Sequence, residues 1–347
     1  MSSTEVPGEP YAWFGGRLAT GLVEVSDDLA ALDGTGWWAV LLDFEGRVVC
    51  ARFADVRDAP PPHGPWPGVR GDAWRSSLDR DGYLGRVAAI RDGVADGDHY
   101  QVNLCRVLSA PLSEGADLRG LASLLASGNP APYAGALRLP SAEVDVVTAS
   151  PELFLGRDGD RITSGPIKGT AVTAAGLTDK DRAENVMIVD LVRNDLGAVA
   201  VTGSVEVPAL NAVEQHPGLV HLVSTVAAVL RPDAGWPELL AATFPPGSVT
   251  GAPKSSALRA IADLEPAPRG PYCGAVGWVD ADRRRATLAV GIRTFWTSGS
   301  GAARKLHLGT GAGITWGSDA AAEWDETELK ARRLRVVAAQ TSRGPAG

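Results

Sequence analysis

The chain has 347 residues, with 33 lysines and arginines against 41 aspartates and glutamates for a net charge of −8, and 45% of it is apolar. That describes a soluble globular protein of one large or two modest domains, and the acidic balance excludes the usual binder of nucleic acid or membrane surface, since both are polyanions. No stretch reaches the roughly 18 apolar residues of a membrane helix, and residues 1–10 lack the basic and apolar regions of a secretory leader, so the expected location is the cytoplasm.

In chain order, 37–44 and 48–53 read as strands joined at Glu45 and Gly46. A proline-rich stretch follows (Pro60, Pro61, Pro62, Pro65, Pro67) and marks a boundary between a short N-terminal segment contributing strands, 1–73, and a main domain, 74–347. Helical periodicity predicts helices over 75–95, 118–127, 179–196, 236–243, 254–264 and 319–339. Strands are predicted over 102–108, 133–139, 144–150, 152–157, 161–163, 218–230, 274–279, 286–296 and 305–309. Hairpins and helices in blocks, without regular βαβ alternation, predict an α+β fold. Cys50, Cys105 and Cys273 are far apart and without neighbouring histidines, which supports neither a disulfide framework nor a zinc site. The chain has only five lysines, Lys168, Lys180, Lys254, Lys305 and Lys330. In a chain that otherwise uses arginine, a retained lysine suits a place where a compact, deprotonatable amine is wanted.

Several constellations can carry chemistry. On the last helix, Glu323, Glu326 and Lys330 fall at i, i+3 and i+7 and share one face. On the third, Asp181 and Glu184 form another acidic i, i+3 pair, and the same helix ends in Arg193, Asn194, Asp195 and an expected C-cap at Gly197. Either set can be a solvated salt-bridged face; together they can supply the oxygen ligands of a hard divalent cation. Gly309, Gly311 and Gly313 alternate in a turn whose N–H groups could receive an anion, in neither a Walker nor a dinucleotide spacing. Thr250, Gly251, Ala252, Pro253 and Lys254 read as a turn with Pro253 opening a helix, and Arg293 as a cation at a strand end. Lys168 sits between Pro166 and Gly169 on an expected tight turn, open to two readings: a turn cation, or a nucleophile if burial lowers its pKa. Glu152 lies between two strands as a candidate acid or base.

Taken together, Tyr100, Gln101 and Asn103, Ser150 to Glu152, Pro166 to Thr170, Glu184 to Gly197, Thr250 to Lys254, Gly291 to Arg293, Gly309 to Gly313 and Glu323 to Lys330 resemble the chorismate-utilising enzymes, in the family's order, over about residues 95–337. The family includes the first components of anthranilate and aminodeoxychorismate synthases and the isochorismate and salicylate synthases. The resemblance implies an α+β sandwich of two αβ subdomains, with large, mainly antiparallel sheets, outer helices and the active site in the cleft between them.

It further implies Mg²⁺ held by Glu184 and Glu326, with Asp181 and Glu323 acting directly or through water. Chorismate would be held by Arg293, Lys330, Tyr272, His221, Ser248, Thr250, Ile292 and the backbone of Gly311, Ala312 and Gly313. Glu152 would assist loss of the C4 hydroxyl. Family members that form isochorismate carry lysine where this chain has Gln101, and those that use ammonia carry glutamine. Lys168 stands where the aminodeoxychorismate-forming branch has its lysine and the anthranilate-forming branch has alanine. The implied activity is amination of chorismate at C4 through a covalent Lys168 adduct, with ammonia from a separate glutamine amidotransferase subunit. The alternatives are anthranilate synthesis and a non-catalytic chorismate-binding module. The N-terminal third is shorter than the family's usual one, although Asn129, Pro130, Pro132 and Tyr133 resemble an element that lines its tryptophan pocket.

Overall fold

The computed structural model describes residues 8–171, 173–216 and 219–343. The fold is α+β, and every strand pairing in it is antiparallel. One ribbon of hydrogen-bonded strands runs through the molecule. It starts at Gln101–Pro111 and passes to Lys305–Thr315, Thr294–Ser298, Val144–Ser150, Tyr133–Leu139, Tyr11–Phe14 and Arg17–Ser26. From there it continues through Val48–Asp58, Trp37–Leu42, Ala275–Asp280 and Arg285–Val290. It ends with Leu153–Asp158, Arg161–Gly165, Leu219–Val229 and Glu206–His216. The strands before residue 73 are therefore the middle of this ribbon and join its two ends.

Among the described residues six α-helices cover the ribbon: α1 (Arg80–Ala95), α2 (Leu118–Gly128), α3 (Asp179–Gly197), α4 (Trp236–Thr243), α5 (Lys254–Leu264) and α6 (Ala320–Ala338). Helices α1, α2, α5 and α6 pack on the half that begins at Gln101, and α3 and α4 on the half that ends at Glu206. Local chemistry explains the helix starts. Thr178 and Asp181 form a capping box that opens α3, and Asp319 accepts from the Ala322 N–H at 2.9 Å to open α6. Trp37–Leu42 is buried along its whole length because strands flank it on both sides. The two largest apolar clusters follow the two halves. One joins Trp38, Val189, Trp236 and Leu288; the other joins Trp66, Leu121, Phe295 and Leu334.

The expected helices over 236–243 and 254–264 and strands over 133–139 and 144–150 are found with those bounds. Four local expectations change. The 286–296 strand is two strands, Arg285–Val290 and Thr294–Ser298, broken where Arg293 takes φ +51°. Gly309 to Gly313 form no turn but the middle of an 11-residue strand. Gly197 is the last residue of α3 and Ala198 its C-cap, while Pro253 is the N-cap of α5 and not its first helical residue. Of the strand expected over 218–230, Gly218 lies outside the described residues.

Candidate functional site

Lys168 lies on the strand Ile167–Ala171 and not on a turn. The strand carries a bulge: Lys168 pairs with Leu222 and Thr170 with His221, leaving Gly169 unpaired at φ +70°. Only glycine suits that place, since a Cβ there would have a left-handed backbone and stand 2.9 Å from the Asp181 Cβ. The bulge brings the Lys168 side chain toward the opposite half of the ribbon. A Cβ placed on Gly313 would lie 3.7 Å from Lys168 Nζ and 2.9 Å from Gln101 Nε2. The glycine that the sequence suggests as part of a turn thus serves as clearance: it keeps the space between amine and amide free.

Gln101 has no exposed surface, and neither Nε2 nor Oε1 of its amide has a hydrogen-bond partner among the described residues. Leaving a buried amide unpaired costs about 1–3 kcal/mol, so such a group is a natural mark of a ligand's place. Among the described residues Lys168 Nζ has a single long hydrogen bond, 3.4 Å to the Ser248 carbonyl oxygen. Burial lowers its pKa and Lys330 adds to this, against the opposing pull of Glu184, Glu152 and Glu326. Glu152 is 4% exposed. Burial raises its carboxyl to about 7, while the Ser248 hydroxyl, Lys168 and the Ile167 N–H work in the other direction. Backbone bonds fix it in place: its carbonyl accepts from the Val290 N–H at 3.0 Å, and its N–H donates to Ser150 Oγ at 3.3 Å. An amine inclined to lose its proton and a carboxyl inclined to keep one thus share one site, the pattern of a nucleophile paired with an acid.

The acidic residues of α3 and α6 approach the same place. Glu184 is 3.6 Å from Lys180, and Glu326 is 2.6 Å from Lys330, whose Nζ also donates to the Gly311 carbonyl at 3.0 Å. Asp181 and Glu323 are engaged locally. Asp181 Oδ2 accepts from Thr178 at 2.7 Å, and Glu323 Oε1 accepts from Ser318 at 2.6 Å. On α6 the shared face divides: Glu323 is buried, whereas Glu326 and Lys330 are exposed. Among the described residues no three histidine, cysteine, aspartate or glutamate side chains stand close enough together to hold an ion. The donors of Glu184 and Glu326, carboxylate oxygens on two helices that both act on Lys168, are nonetheless the kind a hard divalent cation takes, with water filling its shell.

The other expected substrate residues are spread more widely. Ser248 belongs to the site through Lys168 and Glu152. The Thr250 hydroxyl turns into its own loop, 3.1 Å from the Pro246 carbonyl. His221 is 2% exposed and opposite Thr170. Ile292 packs against the larger core cluster, and Arg293, beside it, has its pKa lowered by burial. Tyr272 lies in that cluster, its ring so close to Gly309 that a Cβ there would overlap it at 2.0 Å.

Sequence reasoning missed Arg269 and Glu265. Arg269 donates to the carbonyls of Val249 (2.9 Å) and Asn103 (2.7 Å) and to both oxygens of Glu265, which also accepts the Cys105 N–H at 2.8 Å. The pair ties the loop that carries Ser248 to the strand that carries Gln101. The i, i+4 spacing of Glu265 and Arg269 was its one visible signal.

A family model described as chorismate binding enzyme matches residues 48–336. The chain belongs to this family. It is 40% identical over 277 residues to anthranilate synthase component 1 1 of Haloarcula marismortui, covering 75% of this chain and 54% of that protein. It is 39% identical over 274 residues to aminodeoxychorismate synthase component 1 of Escherichia coli K12, covering 75% of this chain and 58% of the relative. The match spans little more than half the length of either chorismate-binding relative. The fold is that of anthranilate synthase component I from Streptococcus pneumoniae, with TM-score 0.77 at 23% identity, covering 95% of this chain and 90% of that one. Among the described residues no helix is long and apolar enough to cross a membrane.

Proposed function

We propose that this chain aminates chorismate at C4 with ammonia, giving 4-amino-4-deoxychorismate, with Lys168 as covalent nucleophile and Glu152 as general acid. The observation that carries this reading is the meeting of Lys168, its amine pKa lowered by burial, with the unpartnered Gln101 amide across the clearance at Gly313. Relatives of both synthase names stand at similar identity. Within the family the branch turns on the residue at position 168, and a lysine with this environment favours the C4-aminating one.

In the proposed reaction the free amine of Lys168 attacks C2, both ring double bonds shift, and the C4 hydroxyl leaves as water with the proton of Glu152. Ammonia then adds at C4 and the reverse shift expels Lys168, so the new nitrogen stands on the carbon that lost oxygen. Gln101 has no basic group with which to activate water. Glu184 and Glu326 would hold magnesium, which when bound supplies positive charge for the ring carboxylate. Arg293 and Lys330 are the cations for the substrate's charges. Relatives numbered as component 1 support a separate glutamine amidotransferase as the source of ammonia.

The test is to incubate pure protein with chorismate, magnesium and an ammonium salt, with and without a cognate glutaminase and glutamine. The product is then identified by mass and ultraviolet spectrum. Aminodeoxychorismate is expected; anthranilate as the sole product overturns the assignment.

A further inference from the structure

Two motifs visible in the sequence, Asp195 at the end of α3 and Lys254 at the start of α5, have no part in the chemistry above. The fold joins them: Lys254 Nζ lies 2.7 Å from Asp195 Oδ2 and 3.1 Å from the Thr243 carbonyl oxygen. Neither is sealed off, with side chains 18% and 11% exposed. Beside them is a cavity of about 20 Å³ whose wall includes Glu152, Ser164, Asp195, Thr243, Ser248 and Val192. Glu152 and Asp195 are its only titratable lining groups among the described residues. A site of more than about 10–15 Å³ with two or more polar partners has room for a water molecule.

We propose that this chamber holds water and that Asp195, held by Lys254, passes protons through it to Glu152. The proposal rests on the C4-amination reading. There Glu152 gives its proton to the leaving hydroxyl, and it is too buried to recover one directly from bulk solvent. The O–H bond of Glu152 breaks as the hydroxyl leaves as water. The carboxylate then takes a proton from the chamber water as that water takes one from Asp195, which accepts it from the Lys254 ammonium, and Lys254 recovers its proton from solvent. When ammonia enters as the free base and the product leaves as an ammonium, one proton per turnover must enter by such a route, and no electron changes hands. Burial raises the Asp195 pKa against the pull of Lys254, which keeps a proton within its reach. The other groups acting on Glu152 are Ser248, Lys168, the Ile167 N–H and Lys330. Asp195 is thus a positioning residue that acts through Glu152 without touching substrate.

The experiment measures ammonia-dependent turnover of chorismate in Asp195→Asn, Asp195→Glu and Val192→Phe, the last filling the chamber while leaving the ion pair in place. Each is assayed in water and in deuterium oxide, with thermal melting as a check on folding. We expect Asp195→Asn and Val192→Phe to lower kcat about tenfold or more with KM unchanged and to enlarge the solvent isotope effect. Asp195→Glu should recover most of the loss. A folded variant with wild-type kcat, a loss confined to KM, or a kcat loss with an unchanged isotope effect overturns the relay; if Asp195→Asn does not fold, Val192→Phe alone decides. Failure of the wild type to form aminodeoxychorismate overturns the C4-amination reading and the relay with it, whereas wild-type turnover beside unaffected variants removes the relay only.

Discussion

Two buried charged clusters lie close together in this molecule and are built on opposite terms. Around Arg269 each guanidinium nitrogen has an acceptor, two backbone carbonyls and both oxygens of Glu265 between them, with the guanidinium 4.2 Å from the centre of the Phe44 ring. Around Lys168 the groups are under-supplied among the described residues, with one long hydrogen bond for the amine, none for the Gln101 amide, and a carboxyl raised to about 7 by burial. A saturated cluster is scaffold; an unsaturated one waits for a ligand. The difference teaches that burial of charge does not by itself mark a functional site; what sets the Lys168 cluster apart is that a poorly paired amine, an unpaired amide and a carboxyl raised by burial are gathered in one place.

Substitutions can break this contrast. The largest expected effect is at Lys168. Lys168→Ala should lower C4 amination by at least about 10³-fold while leaving the unfolding free energy within about 1 kcal/mol, because it removes a poorly paired amine. Steady-state assays and denaturant titration check both halves, and unchanged turnover would make Lys168 a structural cation. Arg269→Met should show the reverse bias, with a loss of about 3–5 kcal/mol of stability as Glu265 is left buried and unpaired, read from the same titration. Glu152→Gln should cut kcat by about 10²–10⁴. In the wild type kcat/KM should fall as pH rises through about 7, where Glu152 loses its proton, and fall also toward acid pH, where Lys168 takes up the proton that its attack on C2 requires it to lack. A carboxyl raised on folding holds its proton more tightly in the native state. Its contribution to stability is therefore full below the ordinary carboxylate range and lost as pH rises through about 7, and Glu152→Gln should flatten that slope in melts taken across pH. The smallest effect belongs to Gly313→Ala. Its Cβ would stand 2.9 Å from Gln101 Nε2, and displacement of that amide should raise KM for chorismate about tenfold with little change in melting.

Much of this was legible in the sequence because it is local. The helices α4 and α5 and the hairpin strands announce themselves by periodicity and turn residues, and Glu152, Lys168 and the acidic pairs Asp181/Glu184 and Glu323/Glu326 stand out by residue type and spacing, whereas the choice of Glu184 and Glu326 within those pairs rests on the family resemblance. What was hidden is non-local or depends on clearance. Alternating glycines at 309, 311 and 313 resemble a turn until their neighbours are known. Those neighbours are the Tyr272 ring, Cys105 and Gln101, each close enough to exclude a side chain. The strand Tyr11–Phe14 is recognisable through its pairing with Tyr133–Leu139 more than through its own four residues. Asp195 and Lys254 are 59 positions apart, and nothing along the chain says that they meet. Arg293 interrupts an apolar run that any propensity argument would continue.

The register of Gln101–Pro111 against Lys305–Thr315 sets Gln101 opposite Thr315. During synthesis on the ribosome the earlier of these strands must wait for some two hundred further residues before its partner emerges. The glutamine side of the site is therefore completed last, by the final strand of the ribbon to emerge. Topologies of this type fold slowly, because the entropy of a long loop is spent before the contacts repay it. Until then an apolar edge stands open, and the nascent chain at that stage is the form most in need of a chaperone.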